Sequence, residues 1–399
     1  MAIVATTSRN AWSVVIAYAL AASAAMSLQL VFAPVTTSAA AHYGTSLAAI
    51  GWLSEVFPLM YVLIAIPAGF LLDRHFRAGL LLGAALIAGG AILRLVGDSY
   101  AWAFAGQLIC AAGQPLILNG VTKVAGDFLD ERQRPRGLAV AMASIYLGQL
   151  VAILMGSLLA EPSQTTMLLQ ASTLYAVAAA ALLAVSLRRP GAFRSPEEAP
   201  PGMDSLRSLW ADGFIRTITV LAFIGIGAFT ALLTWLQAIL EPAGVSAAAT
   251  GAMLIGLIVA GVVGVSFLPA MAMRRKREFQ LLLLSGGVGV AAMLMLVVAP
   301  GMLVGLIVMP IDGLFLLAAM PVILELTERR AGARVGTATA LVWMAGNAGS
   351  LLIAMGVQAL INRPTLALMF MIVVSAVMIP LTFQLRRQFF AAPSSGVIQ

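Results

Sequence analysis

About a dozen separate stretches of roughly 20 apolar residues, each long enough to cross the hydrocarbon core of a bilayer, decide what this chain can become. Apolar residues make up 61% of the 399 and charged residues only 10%, so a water-soluble globule would have no wettable surface to present. The fold class that follows is an all-α polytopic membrane protein whose first partner is the lipid bilayer. Spans are expected near 11–35, 48–72, 79–97, 102–125, 138–160, 165–187, 213–239, 247–272, 279–299, 302–325, 335–361 and 365–385.

Lys and Arg collect in alternate gaps: Arg74 with Arg77, Arg132 to Arg136, Arg188 to Arg216, Arg274 to Arg277, Arg329 to Arg334, and Arg386 with Arg387. Only Arg94 and Arg363 fall toward the other side. The positive-inside rule then places both termini in the cytoplasm and the protein in the plasma (cytoplasmic) membrane, with an even number of crossings. The net charge of +7 is a topological signal facing anionic lipid, and no nucleic-acid partner is needed to explain it. The first apolar run is too long for a signal-peptide core and is expected to stay as the first span. One cysteine, Cys110, rules out an intramolecular disulfide, and with two histidines the sequence implies no metal centre and no cofactor. A monomer is expected.

The longest loop, LRRPGAFRSPEEAPPGMDSLRSLWADG, is a Pro-rich polar segment that splits the spans six and six. The expected organisation is an N-terminal bundle over 1–187, a cytoplasmic linker over 188–212 and a C-terminal bundle over 213–399. After the second span, GFLLDRHFRAG resembles the signature Gly-x-x-x-Asp-Arg-x-x-Arg of the major facilitator superfamily, with Gly69, Asp73, Arg74 and Arg77 in register. That resemblance implies two six-helix bundles around a central cavity, working by alternating access. Gly69 is expected to admit a neighbouring helix, and Asp73, Arg74 and Arg77 to form a gating latch of charge-assisted hydrogen bonds. Flanking topology charge is the other reading of those arginines. The matching loop of the second half, FLPAMAMRRKREF, has no acid at the position of Asp73, so Arg274 to Arg277 serve topology. The fifth span lacks the Gly-Pro signature of proton-driven drug antiporters.

WLSEVFPLMYVLIAIPAGFLLDR, GAILR and GQPLILNGVTK are similar to the feline leukaemia virus receptor-related transporters, a major facilitator branch associated with heme, choline and ethanolamine. The resemblance implies pocket positions at Gln114 in the fourth span and Asn347 in the eleventh, where the branch has a glutamine. Its first-span Trp falls on Gln29 and its seventh-span Tyr on Thr230. Losing two aromatic walls argues against choline itself, because a quaternary ammonium is held largely by cation–π contact.

Depth supports the amides independently. At ~1.5 Å per residue, Gln114 and Asn347 both lie near the midplane, and Gln29 and Thr230 are shallower. Two acids, Glu55 and Asp312, lie ~12 and ~15 Å deep, where an ionisable group is costly unless it is paired or faces water. Each could neutralise a cationic substrate or exchange a proton. The structural alternatives are a pairing of Glu55 with Arg94 and an internal hydrogen bond for Asp312 beside Pro310. Helical spacing puts Trp52 with Glu55, Trp343 with Asn347, and Thr230 with Thr234 and Gln237 on shared faces. Arg94 is expected either to snorkel to the interface or to attract an anion.

The function these residues point to is secondary active transport of a small polar organic solute, preferably an amine or organic cation, with protons as the coupling ion. An anionic organic acid or heme-like tetrapyrrole is the competing substrate class. A non-transporting receptor is the competing function. No His/Cys cluster, nucleophile elbow or phosphate loop argues for an enzyme.

Overall fold

A computed structural model of the protein describes residues 2–130, 132–188, 203–331 and 335–391. A backbone in lipid must satisfy its own hydrogen bonds, and each apolar run accordingly becomes helix. Among the described residues, 12 helical spans have the length and hydropathy to cross a membrane, and no strand occurs. The protein is an integral membrane protein with an all-α fold.

The chain divides into two compact units, Met1–Ala199 and Pro200–Gln399. Unit 1 contains α1 (Ala2–Leu30), α2 (Thr36–Tyr43), α3 (Leu47–Arg74), α4 (Phe76–Leu93), α5 (Tyr100–Leu118), α6 (Val121–Phe128), α7 (Arg134–Leu158) and α8 (Thr165–Ser186). Its α1 packs on α7 and α8, and α5 on α3 and α4, around a core that includes Tyr18, Phe57, Ile117 and Leu183. Unit 2 contains α9 (Met203–Ala211), α10 (Gly213–Leu240), α11 (Ala247–Arg274), α12 (Glu278–Val298), α13 (Met302–Ala331), α14 (Val335–Ala359) and α15 (Pro364–Ala391). Here α11 packs on α13, α10 on α14 and α12 on α15, with Ile218, Leu282, Val322 and Leu385 inside. Leu174, Phe267, Val298 and Leu303 are exposed, as large apolar side chains facing acyl chains should be.

Four spans depart from the sequence reading, the twelfth by running to Ala391 where its end was expected at 385. The first was expected to run straight over 11–35, but α1 ends at Leu30 and a 3₁₀ turn at Ala33–Val35 leads into α2. Pro34 has no N–H for the Leu30 carbonyl, which ends the helix. The fourth was expected over 102–125, yet α5 stops at Leu118 and resumes as α6 after Asn119 and Gly120. Pro115 has already weakened that turn, and the Asn119 amide leaves its own helix to donate to the Ala65 carbonyl at 3.0 Å. The tenth carries its helix past 325 to Ala331, beyond its apolar part. Of the expected linker over 188–212, residues 189–202 lie outside the described residues. Its second part is not irregular: it forms α9, whose Leu209 is buried in the unit 2 core.

Both units turn the same corner into their second long helix. Gly44 at φ 61° and Gly244 at φ 79° adopt the left-handed conformation that glycine accepts without strain. Two residues on, Ser46 and Ser246 cap the next helix, each accepting from a backbone N–H at 3.2 Å, that of Ala49 and that of Ala249. The helices so begun, α3 and α11, each have 28 residues and end in arginine. Between α4 and α5 the contact is backbone to backbone. A Cβ on Gly90 would stand 2.5 Å from the Gly106 carbonyl, and one on Gly113 would stand 2.7 Å from that of Gly83.

Candidate functional site

Unit 1 holds its polar groups in two layers on one face of α5. Gln107 and Gln114 are seven residues apart, two helical turns, and therefore point the same way. At the deeper layer, Gln114 Nε2 donates to Gln29 Oε1 of α1 at 2.8 Å, so two expected site residues meet directly. Gln114 is 1% exposed and Gln29 half-buried. The pair uses one donor and one acceptor, and the Gln114 carbonyl and Gln29 amide N–H groups hold the remaining capacity. Glu55 on α3 is buried at 2% exposure, with half-buried Trp52 three positions before it. Pro58 withdraws the N–H that would have met the Ser54 carbonyl, leaving polar backbone beside this carboxylate.

The outer layer is built on Arg94, the residue that ends α4. Arg94 does not snorkel: it is 1% exposed. Its Nη1 donates to Gln107 Oε1 at 3.3 Å, and its Nη2 to Ser172 Oγ at 3.1 Å and Thr173 Oγ1 at 3.4 Å on α8. Gln107 in turn donates from Nε2 to the Leu28 carbonyl of α1 at 3.0 Å and the Leu53 carbonyl of α3 at 2.9 Å. Thr173 closes the circuit by donating to the Ala91 carbonyl of α4 at 2.9 Å. Five helices are tied here by hydrogen bonds whose donors and acceptors are desolvated together, the arrangement in which each bond counts most. Sequence reasoning singled out Arg94 but missed Gln107, Ser172 and Thr173. The seven-residue spacing from Gln114 was the signal for Gln107.

In unit 2 the expected residues fall into two places. Thr230 Oγ1 on α10 and Ser350 Oγ on α14 share a hydrogen bond of 2.9 Å. Asn347, half-buried on α14, donates from Nδ2 to the carbonyl of Trp343 at 3.0 Å, bonding back along its own helix. Trp343 itself is half-buried. Thr234, one turn beyond Thr230, is 2% exposed with its hydroxyl unpartnered, and Gln237 donates to Glu241 at 3.2 Å. Asp312 is elsewhere. It is 1% exposed on α13 with Oδ1 unpartnered, and it faces α12 and α15 rather than the Thr230–Asn347 face. The internal hydrogen bond weighed for it beside Pro310 does not form at Oδ1.

The expected latch is only partly described, since the Asp73 side chain lies outside the described residues. Arg74 is exposed, and Arg77 Nη2 donates to the carbonyl of Leu187 at the end of α8. Gly69 does not serve a close helix approach: a Cβ placed on it would meet nothing within 4 Å. The close approaches are made instead by Gly83, Gly90, Gly106 and Gly113. At the basic end of unit 2, Arg330 Nε meets Asp212 Oδ2 at 2.9 Å and its guanidinium lies 5.8 Å from the Phe214 ring centroid. Burial pushes the Asp212 carboxyl up, but the hydrogen bonds from Arg330 and the Phe214 N–H, with the Arg330 charge, outweigh it and hold it below the usual range.

Two bundles of six spans, each presenting buried amides, hydroxyls and acids at membrane depth, define a secondary transporter fold. The chain belongs to the Major Facilitator Superfamily, whose sequence pattern it matches over residues 14–354. It is 30% identical over 266 residues to solute carrier family 49 member A3 of Danio rerio, covering 63% of this chain and 56% of that protein. Over 126 residues it is 32% identical to the choline/ethanolamine transporter FLVCR1 of Felis catus, covering 31% and 22% of the two chains. The chain thus spans about half the length of the first of these relatives, and less of the second. Among solved structures, a bacterial homolog of the human lysosomal transporter Spinster, inward-facing and unoccupied, superimposes with a TM-score of 0.77 at 15% identity, covering 97% of this chain and 99% of that one. The Escherichia coli fucose:proton symporter gives 0.62 at 20% identity, covering 94% and 99%. Both share the fold.

Proposed function

We propose that this major facilitator protein moves a small polar organic solute carrying an amine or organic cation, by proton-coupled alternating access. The observation that carries the solute class is the Gln114–Gln29 pair with Glu55 in the same unit. It joins amide groups with capacity to spare to a buried carboxylate of the same unit. A cationic head with N–H donors suits such a set, and an anion would meet the Glu55 charge. Unit 2 contributes Thr230, Trp343 and Asn347 to the solute. The proton is carried by Glu55 and Asp312, and Asp73, Arg74 and Arg77 gate the cycle. The basic loops and both termini face the cytoplasm of a cell whose plasma (inner) membrane holds the protein as a monomer.

Uptake of a labelled amine into proteoliposomes tests this reading. Amines are expected to compete and carboxylates or porphyrins not to, and Gln114→Leu is expected to lower uptake at least tenfold. Competition by carboxylates alone would establish the anionic reading. Transport indifferent both to a pH gradient and to Glu55→Gln with Asp312→Asn would remove proton coupling.

A further inference from the structure

Asp312 lies buried on α13 with its Oδ1 unpartnered and directed toward α12 and α15. Opposite it on α12 stands Gly289, and a methyl group placed on that glycine would find Ser375 Oγ of α15 at 3.2 Å and Asp312 Oδ1 at 3.5 Å. The missing side chain thus leaves both a carboxylate oxygen and a hydroxyl bordering the position that a methyl would fill. Ser285, one turn before Gly289 on the same face of α12, is 1% exposed and its hydroxyl has no partner. Elsewhere in unit 2, Thr217, Thr219, Ser266, Thr327 and Thr382 satisfy their hydroxyls by donating to a carbonyl one turn back. Ser285 Oγ and Asp312 Oδ1 have no such partner, a state shared in unit 2 by the Thr234 and Thr250 hydroxyls on α10 and α11. Ser375 is 6% exposed.

We propose that Asp312, Ser375 and Ser285 form a site for one monovalent inorganic cation, a sodium ion or a hydronium, between α12, α13 and α15. Asp312 supplies the charge, the two hydroxyls supply neutral oxygens, and Gly289 supplies the room. Hard oxygen ligands of this kind suit a small hard cation. The cation also removes the cost of an isolated carboxylate at hydrocarbon depth. The other ionisable groups of the enclosing helices stand far off along their axes. Glu325 is 13 positions from Asp312, Glu278 is 11 from Gly289, and Arg386 is 11 from Ser375, each about 16 Å or more away. Arg216 of α10 and Arg274 of α11 lie at the same end of the unit. The site makes Asp312 a holder of the coupling ion rather than a wall of the solute pocket. It rests on the proposed function only for the use to which the bound ion is put.

The test is the melting temperature of the purified full chain without organic solute, in two arms. In one, sodium chloride replaces caesium chloride at constant ionic strength and pH 8. In the other, the pH falls from 8 to 5.5 in caesium chloride. A saturable rise of a few degrees is expected in one arm, absent in Asp312→Asn and shifted at least tenfold in midpoint by Ser375→Ala. The sodium arm would identify a sodium ion and the acid arm a hydronium. Gly289→Ala, whose added methyl asks the Ser375 side chain to give by a few tenths of an ångström, is expected to keep most of the basal melting temperature and lose the rise. If neither arm gives a rise that Asp312→Asn and Gly289→Ala remove, the proposal is overturned. Solute flux is read separately. Flux without a cation response defeats the site and spares the transport reading, and a cation response without flux does the reverse.

Discussion

The cleft where α4, α5 and α8 meet in unit 1 and the cleft where α12, α13 and α15 meet in unit 2 solve the same burial problem differently. In unit 1 a buried guanidinium is surrounded by Gln107, Ser172 and Thr173, each of which also satisfies a backbone carbonyl. In unit 2 a buried carboxylate and Ser375 both border Gly289, and the carboxylate Oδ1 is left open. The positions correspond closely: Asp312 is the eleventh residue of α13, and the eleventh residue of α5 is Cys110, whose thiol donates to the Ile87 carbonyl at 3.3 Å. One cleft spends its polar groups on holding helices together, and the other holds a charge in reserve.

The largest expected effect falls on the closed cleft. Arg94→Ala should cost about 3 kcal/mol through lost charged hydrogen bonds and the emptied stem, read as a drop in melting temperature in detergent. Asp312→Asn, measured in the absence of sodium at pH 8, should cost nothing and can raise stability, because it removes an unpaired charge. Equal losses in the two variants would break the contrast. Gly106→Val should destabilise by about 2 to 3 kcal/mol, since its Cβ meets the Gly90 carbonyl at 2.5 Å. Gly69→Ala should lie within about 0.5 kcal/mol of the parent, having no neighbour to displace. A double-mutant cycle over Gln29→Leu and Gln114→Leu should give a coupling of about 1 kcal/mol, and a coupling of zero would dissolve the pair.

A small, pH-dependent effect belongs to Asp212 and Arg330. Asp212 is held below the usual carboxylate range in the folded protein, so its contribution is present above the unfolded value and fades as pH falls through the folded one. Acidifying below about pH 4 should remove about 0.2 to 1 kcal/mol that Asp212→Asn has already lost, visible as a shallower acid limb of the stability profile.

Span number and fold class were legible because hydropathy over 20 residues is a strong signal and lipid leaves only one backbone solution. The Gln114–Gln29 meeting was only partly legible: depth put both residues in the membrane but set Gln29 shallower than Gln114, whereas their amides meet at one level. Helix interruptions at Leu30 and Leu118 were written in Pro34, Pro115, Asn119 and Gly120, which a hydropathy window averages away. The repeated corner was written as well, in Gly44 with Ser46 and Gly244 with Ser246, 200 residues apart. What could not be read was direction. Arg94, placed by sequence at an interface, turns inward because Ser172, Thr173 and Gln107 wait there, and Asp312 turns toward Gly289, a position with no side chain to meet it.

The bridge made by Gln107 has a mechanical meaning. One amide group joins the Leu28 and Leu53 carbonyls while Arg94 lashes the same group to α4 and α8, so these helices cannot slide past each other at that level without desolvated bonds breaking together. The opposite end of α5 is fastened another way: where the helix breaks at Asn119 and Gly120, the Tyr61 hydroxyl donates to Asn119 Oδ1 at 2.8 Å and the Asn119 amide donates to the Ala65 carbonyl at 3.0 Å. The bundle is laced to α3 at both ends of α5, once beside a buried charge and once through an interrupted helix.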